Sequence, residues 1–134
     1  MKLSSRAELA VKVMLVLAER DDGRTQPLAE ICRLRGLPRD NTARVLGMLV
    51  RAELVEAVRG RHGGYRLVKP ASEISLLDVM EAVDGPLAIN FCQYHPPRCD
   101  NVDCPVRPVW GEIQRTIRSV LSARTLDKLV CNHR

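Results

Sequence analysis

Apolar positions at the start of the chain recur with the period of a helix. Ala10, Val13, Met14, Leu17 and Ala18 fall three and four apart, and Ser5-Arg6-Ala7-Glu8 ahead of them has the spacing of a capping box. The pattern predicts a first helix over residues 5–20. The polar run "RDDGRTQ" is a turn; Pro27 then opens a short helix, "PLAEICRLRG", which Gly36 stops. After the tight turn "GLPR", a third helix begins at Asp40 or Asn41 and runs to about Ala52, with Val45, Leu46, Leu49 and Val50 as its buried stripe. In "LVEAVRGRHGGYRLV" the apolar residues sit in two short strands around Gly60, Gly63 and Gly64, which makes a hairpin. A fourth helix, "ISLLDVMEAVDGP", closes at Gly85-Pro86. Val106, Val109, Trp110, Ile113, Ile117, Val120 and Leu121 then place one apolar seam on a last helix of about sixteen residues.

Two short helices joined by a glycine-containing turn, the second one basic, predict a helix-turn-helix, and a hairpin directly after it is a wing. The expected fold is therefore mainly α with a small β wing. A winged helix-turn-helix domain spans residues 1–85, a cysteine loop 86–105, and a long dimerisation helix with a C-terminal tail 106–134. The seam of Val109, Trp110, Ile113, Ile117 and Val120 is too apolar to face water along its length, which predicts a homodimer.

Only four residues are aromatic, so the core is aliphatic, and 134 residues suffice for one domain. Charge is more informative. Between Arg33 and Arg66 there are eight arginines (33, 35, 39, 44, 51, 59, 61 and 66) against three acids, Asp40, Glu53 and Glu56. That surplus equals the net charge of the whole chain, +5. A basic stripe concentrated on one motif predicts a polyanionic partner, here double-stranded DNA. Arg39, Asn41 and Arg44, where the third helix starts, are placed to meet base edges in the major groove. Arg51 faces a phosphate, and Arg59 and Arg61, flanking Gly60, suit a narrow minor groove. Tyr65 packs the hairpin base against the domain, and His62 meets solvent.

Other classes are excluded. Glu8 and Lys12 interrupt the apolar run Ala7–Ala18, and no uncharged stretch approaches the ~18–20 residues of a membrane span, so a cytoplasmic protein without a membrane partner is expected. No serine–histidine–acid set, phosphate-binding glycine loop or pair of catalytic acids is visible, so the chain is not expected to be an enzyme.

The stretch "LAINFCQYHPPRCDNVDCPVRPVW" stands apart. Cys92, Cys99 and Cys104 lie within thirteen residues, among Pro96, Pro97, Pro105 and Pro108. Five cysteines, an odd number, argue against a disulfide framework in a reducing compartment. Thiolates are the preferred ligands of iron–sulfur clusters and of zinc, and both usually take four protein ligands. The absence of a Cys-x-x-Cys pair disfavours a zinc knuckle, while His95 would complete a Cys3His zinc site. Cys32 is expected as a buried filler. Cys131 and His133, near the chain end, receive no role.

"MKLSSRAELAVKVMLVLA", "LAEICRLRGLPRDNTARVLGMLVRAELVEAVRGRHGGYRL", "EISLLDVMEAVDGPL" and the cysteine loop before "CPVRPVWGEI" together resemble the IscR/NsrR family of bacterial winged-helix repressors. The resemblance runs from Met1 to about Leu129; its most specific pieces are the wing "RGRHGGYRL" and the late cysteine triplet. It implies a homodimer swapped through the long helix, palindromic DNA sites, and often an iron–sulfur cluster (2Fe–2S or 4Fe–4S, nuclearity undetermined) that reports cluster supply, nitric oxide or redox state. In some relatives of the nitric-oxide-sensing type an acidic residue at the position of Glu8 supplies the fourth ligand from the other subunit. Its local alternative is the capping box. Three departures stand out: "NTARVL" where many relatives have a Leu-Glu pair, the spacing C-x6-C-x4-C, and Arg107 in place of a histidine ligand. The fourth ligand stays open between Glu8, His95 and solvent. The expected function is a dimeric regulator, a repressor, whose operator affinity is controlled by a cluster on Cys92, Cys99, Cys104 and Glu8. The alternatives are a cluster-free or zinc-containing winged-helix regulator acting by cysteine oxidation or through a partner protein, and a small metal or cluster carrier.

Overall fold

The computed structural model describes residues 3–131; His133 and the Cys131 side chain lie outside what it describes. Helix α1 (Ser5–Glu19) is capped by Ser4, whose hydroxyl oxygen accepts from the Ala7 N–H at 3.0 Å. The same hydroxyl donates to Asp84 Oδ2 at 2.6 Å. This corrects the predicted capping box by one residue. Ser5 is already helical, and Glu8, instead of reaching back to the cap, is exposed beside Lys12 at 3.7 Å. Of two adjacent serines that fit a cap locally, Ser4 also finds a tertiary acceptor on the far helix.

Helix α1 is the axis of the domain. Ala7, Ala10, Val13, Met14, Val16, Leu17 and Ala18 are all buried, more than one stripe can account for. Around them pack α2 (Leu28–Arg35), α3 (Arg39–Arg51), α4 (Leu76–Asp84) and α6 (Leu126–Cys131). Met14, Ile31, Leu46, Leu49, Ile74 and Leu126 form the fully buried centre. Each such side chain contributes about 1.5–3 kcal/mol through burial.

Gly36 ends α2 in the left-handed region (φ 60°), its N–H bonded to the Cys32 carbonyl, and Pro38 leads into α3. At the far end of α3, Leu54 N–H returns to the Leu49 carbonyl at 3.1 Å across Glu53, which takes φ +62°. That is a Schellman closure with glutamate where glycine is usual. Strands β1 (Val55–Val58) and β2 (Gly64–Leu67) pair antiparallel, Val55 opposite Leu67 and Val58 opposite Gly64. Gln26, just ahead of α2, bonds to Tyr65 as a third short edge, and the Thr25 hydroxyl donates to the His62 carbonyl.

Ser75 and Asp78 form a reciprocal capping box at 3.1 and 3.0 Å that starts α4. After the cysteine loop comes α5 (Arg107–Ala123). The chain beyond it, expected as a tail, instead forms α6 and returns to α1. Leu126 and Val130 are buried, and Leu76 N–H bonds to the Arg124 carbonyl while Leu126 N–H bonds to the Ile74 carbonyl, both at 2.9 Å. The spacing of Leu126, Leu129 and Val130 was the available signal. Among the described residues no helix is long and apolar enough to cross a membrane.

Candidate nucleic-acid interface and cysteine loop

The eight arginines between Arg33 and Arg66 separate into two groups. Arg33 bonds to Glu30 at 2.6 Å, Arg66 to Glu56 at 3.1 Å, and Arg35 to Glu19. The hydrogen bond from Arg33 holds the Glu30 carboxyl below its ordinary range. The other five, Arg39, Arg44, Arg51, Arg59 and Arg61, are exposed, and no carboxylate among the described residues pairs with them. Arg39 is the first residue of α3, Arg44 lies further along its N-terminal half, and Arg51 is its last residue. Asn41 is exposed beside them, as is Asp40. Arg59 and Arg61 stand at the bend of the wing, where Gly63 N–H bonds to the Gly60 carbonyl at 3.0 Å. Tyr65 is half-buried against the core and packs the hairpin on the domain as expected, though nearer the turn than the base, opposite Ala57. His62 is exposed.

Helix α5 buries polar Gln114 against the chain and leaves part of its apolar seam exposed. Gln114 is buried; its side-chain oxygen accepts from Ile89 N–H at 3.0 Å and its amide donates to the Gln93 carbonyl at 3.4 Å. Arg118 pairs with Glu81 on α4 at 2.9 Å. On the outer side Val109 is 49% exposed, Ile113 36% and Val120 49%, with Trp110 and Ile117 half-buried.

The cysteine loop is tied to the start of α5. Arg107 N–H bonds to the Cys104 carbonyl at 3.1 Å, and its guanidinium Nη2 reaches the Cys99 carbonyl at 3.5 Å. Its Nε is buried without a hydrogen-bond partner. Gln93 donates to the Cys92 sulfur at 3.3 Å, and Arg98 lies 3.9 Å over the Tyr94 ring. A single 3-10 turn, Phe91–Gln93, is the loop's regular structure. Cys92, Cys99 and Cys104 are free and half-buried; Cys32 on α2 is also half-buried, a correction to its reading as a buried filler. Among the described residues no three cysteine, histidine, aspartate or glutamate side chains stand close enough to hold one metal ion. The loop thus gathers the three thiols into one region of the single chain without closing them on one point. Glu8 remains exposed on α1, and His95 is exposed at the loop surface.

Residues 3–132 match the model of the Rrf2 family, described as an iron-dependent transcriptional regulator. The HTH-type transcriptional regulator IscR of Photorhabdus laumondii subsp. laumondii is 34% identical over 133 residues, covering 98% of this chain and 80% of its own length. Among solved structures, T. potens IscR aligns with a TM-score of 0.81 at 25% identity, over 100% of this chain and 89% of that one. Staphylococcus aureus CymR in its oxidized form aligns with a TM-score of 0.76 at 27% identity, over 97% and 96%. The function described for the family and for its IscR relatives is transcriptional regulation rather than catalysis. The winged domain followed by a long C-terminal helix is the architecture shared with the solved neighbours. The chain belongs to the Rrf2 family of DNA-binding transcriptional regulators and is of the IscR type.

Proposed function

We propose that the chain is a cytoplasmic, homodimeric repressor that grips a palindromic operator with two copies of α3 and two wings, and that the Cys92–Cys104 loop carries its signal. The observation that carries the DNA contact is the sorting of the arginines. Those assigned to DNA are the five left without a carboxylate, so their charge is free for phosphates and base edges. Arg39, Asn41 and Arg44 would read the major groove, Arg51 a phosphate, and Arg59 and Arg61 the minor groove. Two copies of α3 must stand about one DNA turn apart, ~34 Å, to engage both half-sites. The uncovered seam of α5 supports the dimer that would set this spacing. Since Gln93 and Arg107 fasten the loop to α5, a chemical change at the thiols would alter how that helix is held.

The family description supports iron as the source of the signal. Three thiols in one loop are the right donors for an iron–sulfur cluster or for zinc. As placed in the single chain they do not fit either group, because they do not converge. A second reading, direct oxidation of the cysteines, is favoured by these free, half-buried thiols. The structural neighbour CymR has been solved in an oxidized form.

One preparation separates these readings. The protein is purified without oxygen, assayed for iron, acid-labile sulfide and zinc, and titrated with duplex DNA before and after oxidation. Iron with sulfide selects the cluster. Metal-free protein whose DNA affinity changes reversibly with a thiol oxidant selects direct oxidation. Unchanged affinity in both cases removes the loop from signalling, and failure to bind any duplex would leave a metal carrier docking an acidic partner.

A further inference from the structure

We infer that Asp40 determines operator specificity: its carboxylate accepts a hydrogen bond from a base amino group in each half-site, cytosine N4 in the first instance, and penalises DNA that offers none there. The inference rests on the proposed entry of α3 into the major groove.

Asp40 is the second residue of α3 and the helix's only acid, between Arg39 and Asn41 on its exposed leading end. Arg44 lies four residues further along, the spacing at which a carboxylate and a guanidinium commonly pair on a helix. They do not pair here, and the Asp40 carboxylate has no hydrogen bond or ion pair among the described residues. Elsewhere in the same basic segment, Glu56 is taken up by Arg66. An unpaired carboxylate carried toward phosphates lowers affinity for DNA in general. It is compensated only where a donor meets it, and in the major groove the donors are the amino groups of cytosine and adenine. As the one acid of α3, set beside its unpaired arginines, Asp40 therefore separates tolerated from rejected sequences, a repulsive element beside the attractive ones.

The bland alternative is that Asp40 only stabilises the start of α3, where negative charge suits the helix dipole and Pro38 supplies no side-chain cap. That role would change the melting temperature and leave base choice alone. The two are separated by selecting bound sequences from a randomised duplex library with wild type, Asp40→Ala, Asp40→Asn and Arg44→Ala, each checked by thermal melting. Wild type should fix a cytosine at one position of each half-site. Asp40→Ala should bind random duplex more tightly and lose discrimination at that position by about tenfold, the other positions being kept. Asp40→Asn should shift the preference there toward adenine, whose N6 and N7 suit an amide. Wild-type preferences at every position in both Asp40 variants, while Arg44→Ala alters one, would overturn the inference and leave the groove reading standing. If Arg44→Ala also selects the wild-type sequence, the groove reading falls and the inference with it.

Discussion

Gln26 and Tyr65 exchange both of their backbone hydrogen bonds, at 2.8 and 2.9 Å. One residue precedes α2 and the other lies in β2, so the hairpin that carries Arg59 and Arg61 is fastened to the helix-turn-helix itself. Gly64 makes the room: a Cβ there would stand 2.5 Å from the Gln26 carbonyl oxygen. Gly64→Ala should force wing and loop apart at a cost of about 2–3 kcal/mol, with a loss of DNA affinity. Gly36→Ala, which meets nothing within 4 Å, should cost only about 1 kcal/mol from its left-handed backbone. Equal losses in urea unfolding would refute the contact.

Glu53 holds a positive φ at the closure of α3. Glu53→Gly should raise stability by about 0.5–1 kcal/mol, the relieved strain being partly offset by a freer unfolded chain. A lower denaturation midpoint in the variant would contradict this.

On the exposed face of α3, Arg44 stands near the middle and Arg51 at the C-terminal end. Arg44→Ala should weaken specific binding by about 1–3 kcal/mol and relax one base position. Arg51→Ala should weaken all sequences alike and flatten the dependence of affinity on salt. Titrations at several salt concentrations read both effects; wild-type behaviour in both variants would remove α3 from the interface.

Ile113 faces outward on α5, while its neighbour Gln114 is buried and bonded to Ile89. Ile113→Asp should therefore break the dimer while the helical circular dichroism of the chain survives. Sedimentation at micromolar concentration gives the answer, and a monomeric wild type would sink the assignment.

The thiol predictions divide along the chain. Serine at Cys92, Cys99 or Cys104 should abolish the response of DNA binding to oxidant and, if iron is bound, lower the iron content sharply. Cys32→Ser should change neither, because that thiol lies on α2. Glu8→Ala should cost only about 0.2–0.5 kcal/mol, the value of an exposed pair with Lys12. A change in the absorption spectrum of an iron-loaded sample would then identify Glu8 as a ligand rather than a structural residue.

The helices and the wing were readable because local punctuation marks them: Pro27 and Gly36 around α2, Ser75 and Gly85 around α4, the glycines of the hairpin. Where two local solutions compete, pattern alone fails. Ser4 and Ser5 both suit a cap, and only the hydrogen bond to Asp84, eighty positions away, selects Ser4. Helix α6 leaves only a faint mark in the sequence, because six residues carry a short stripe whose value appears only against the core residues of α1 that it covers. The joining of Gln26 to the wing has no periodic signature at all. For the cysteines, spacing along a proline-rich loop gives stiffness but not the distances between sulfurs, so three neighbouring thiols in sequence need not share one point in space.

The backbone pairing of Ser75 with Thr125 brings the beginning and the end of a long excursion side by side. Helix α4 stays packed on α1, while the cysteine loop and α5 leave the winged domain after it and come back to it at this clasp. A rod anchored at both ends cannot swing like a tail; it can tilt or turn about its axis, and only together with the body that holds the clasp. If two chains pair through α5 as proposed, a chemical change at the thiols would be passed on as a rotation of one winged body against its twin, with little slack in which the motion could be lost.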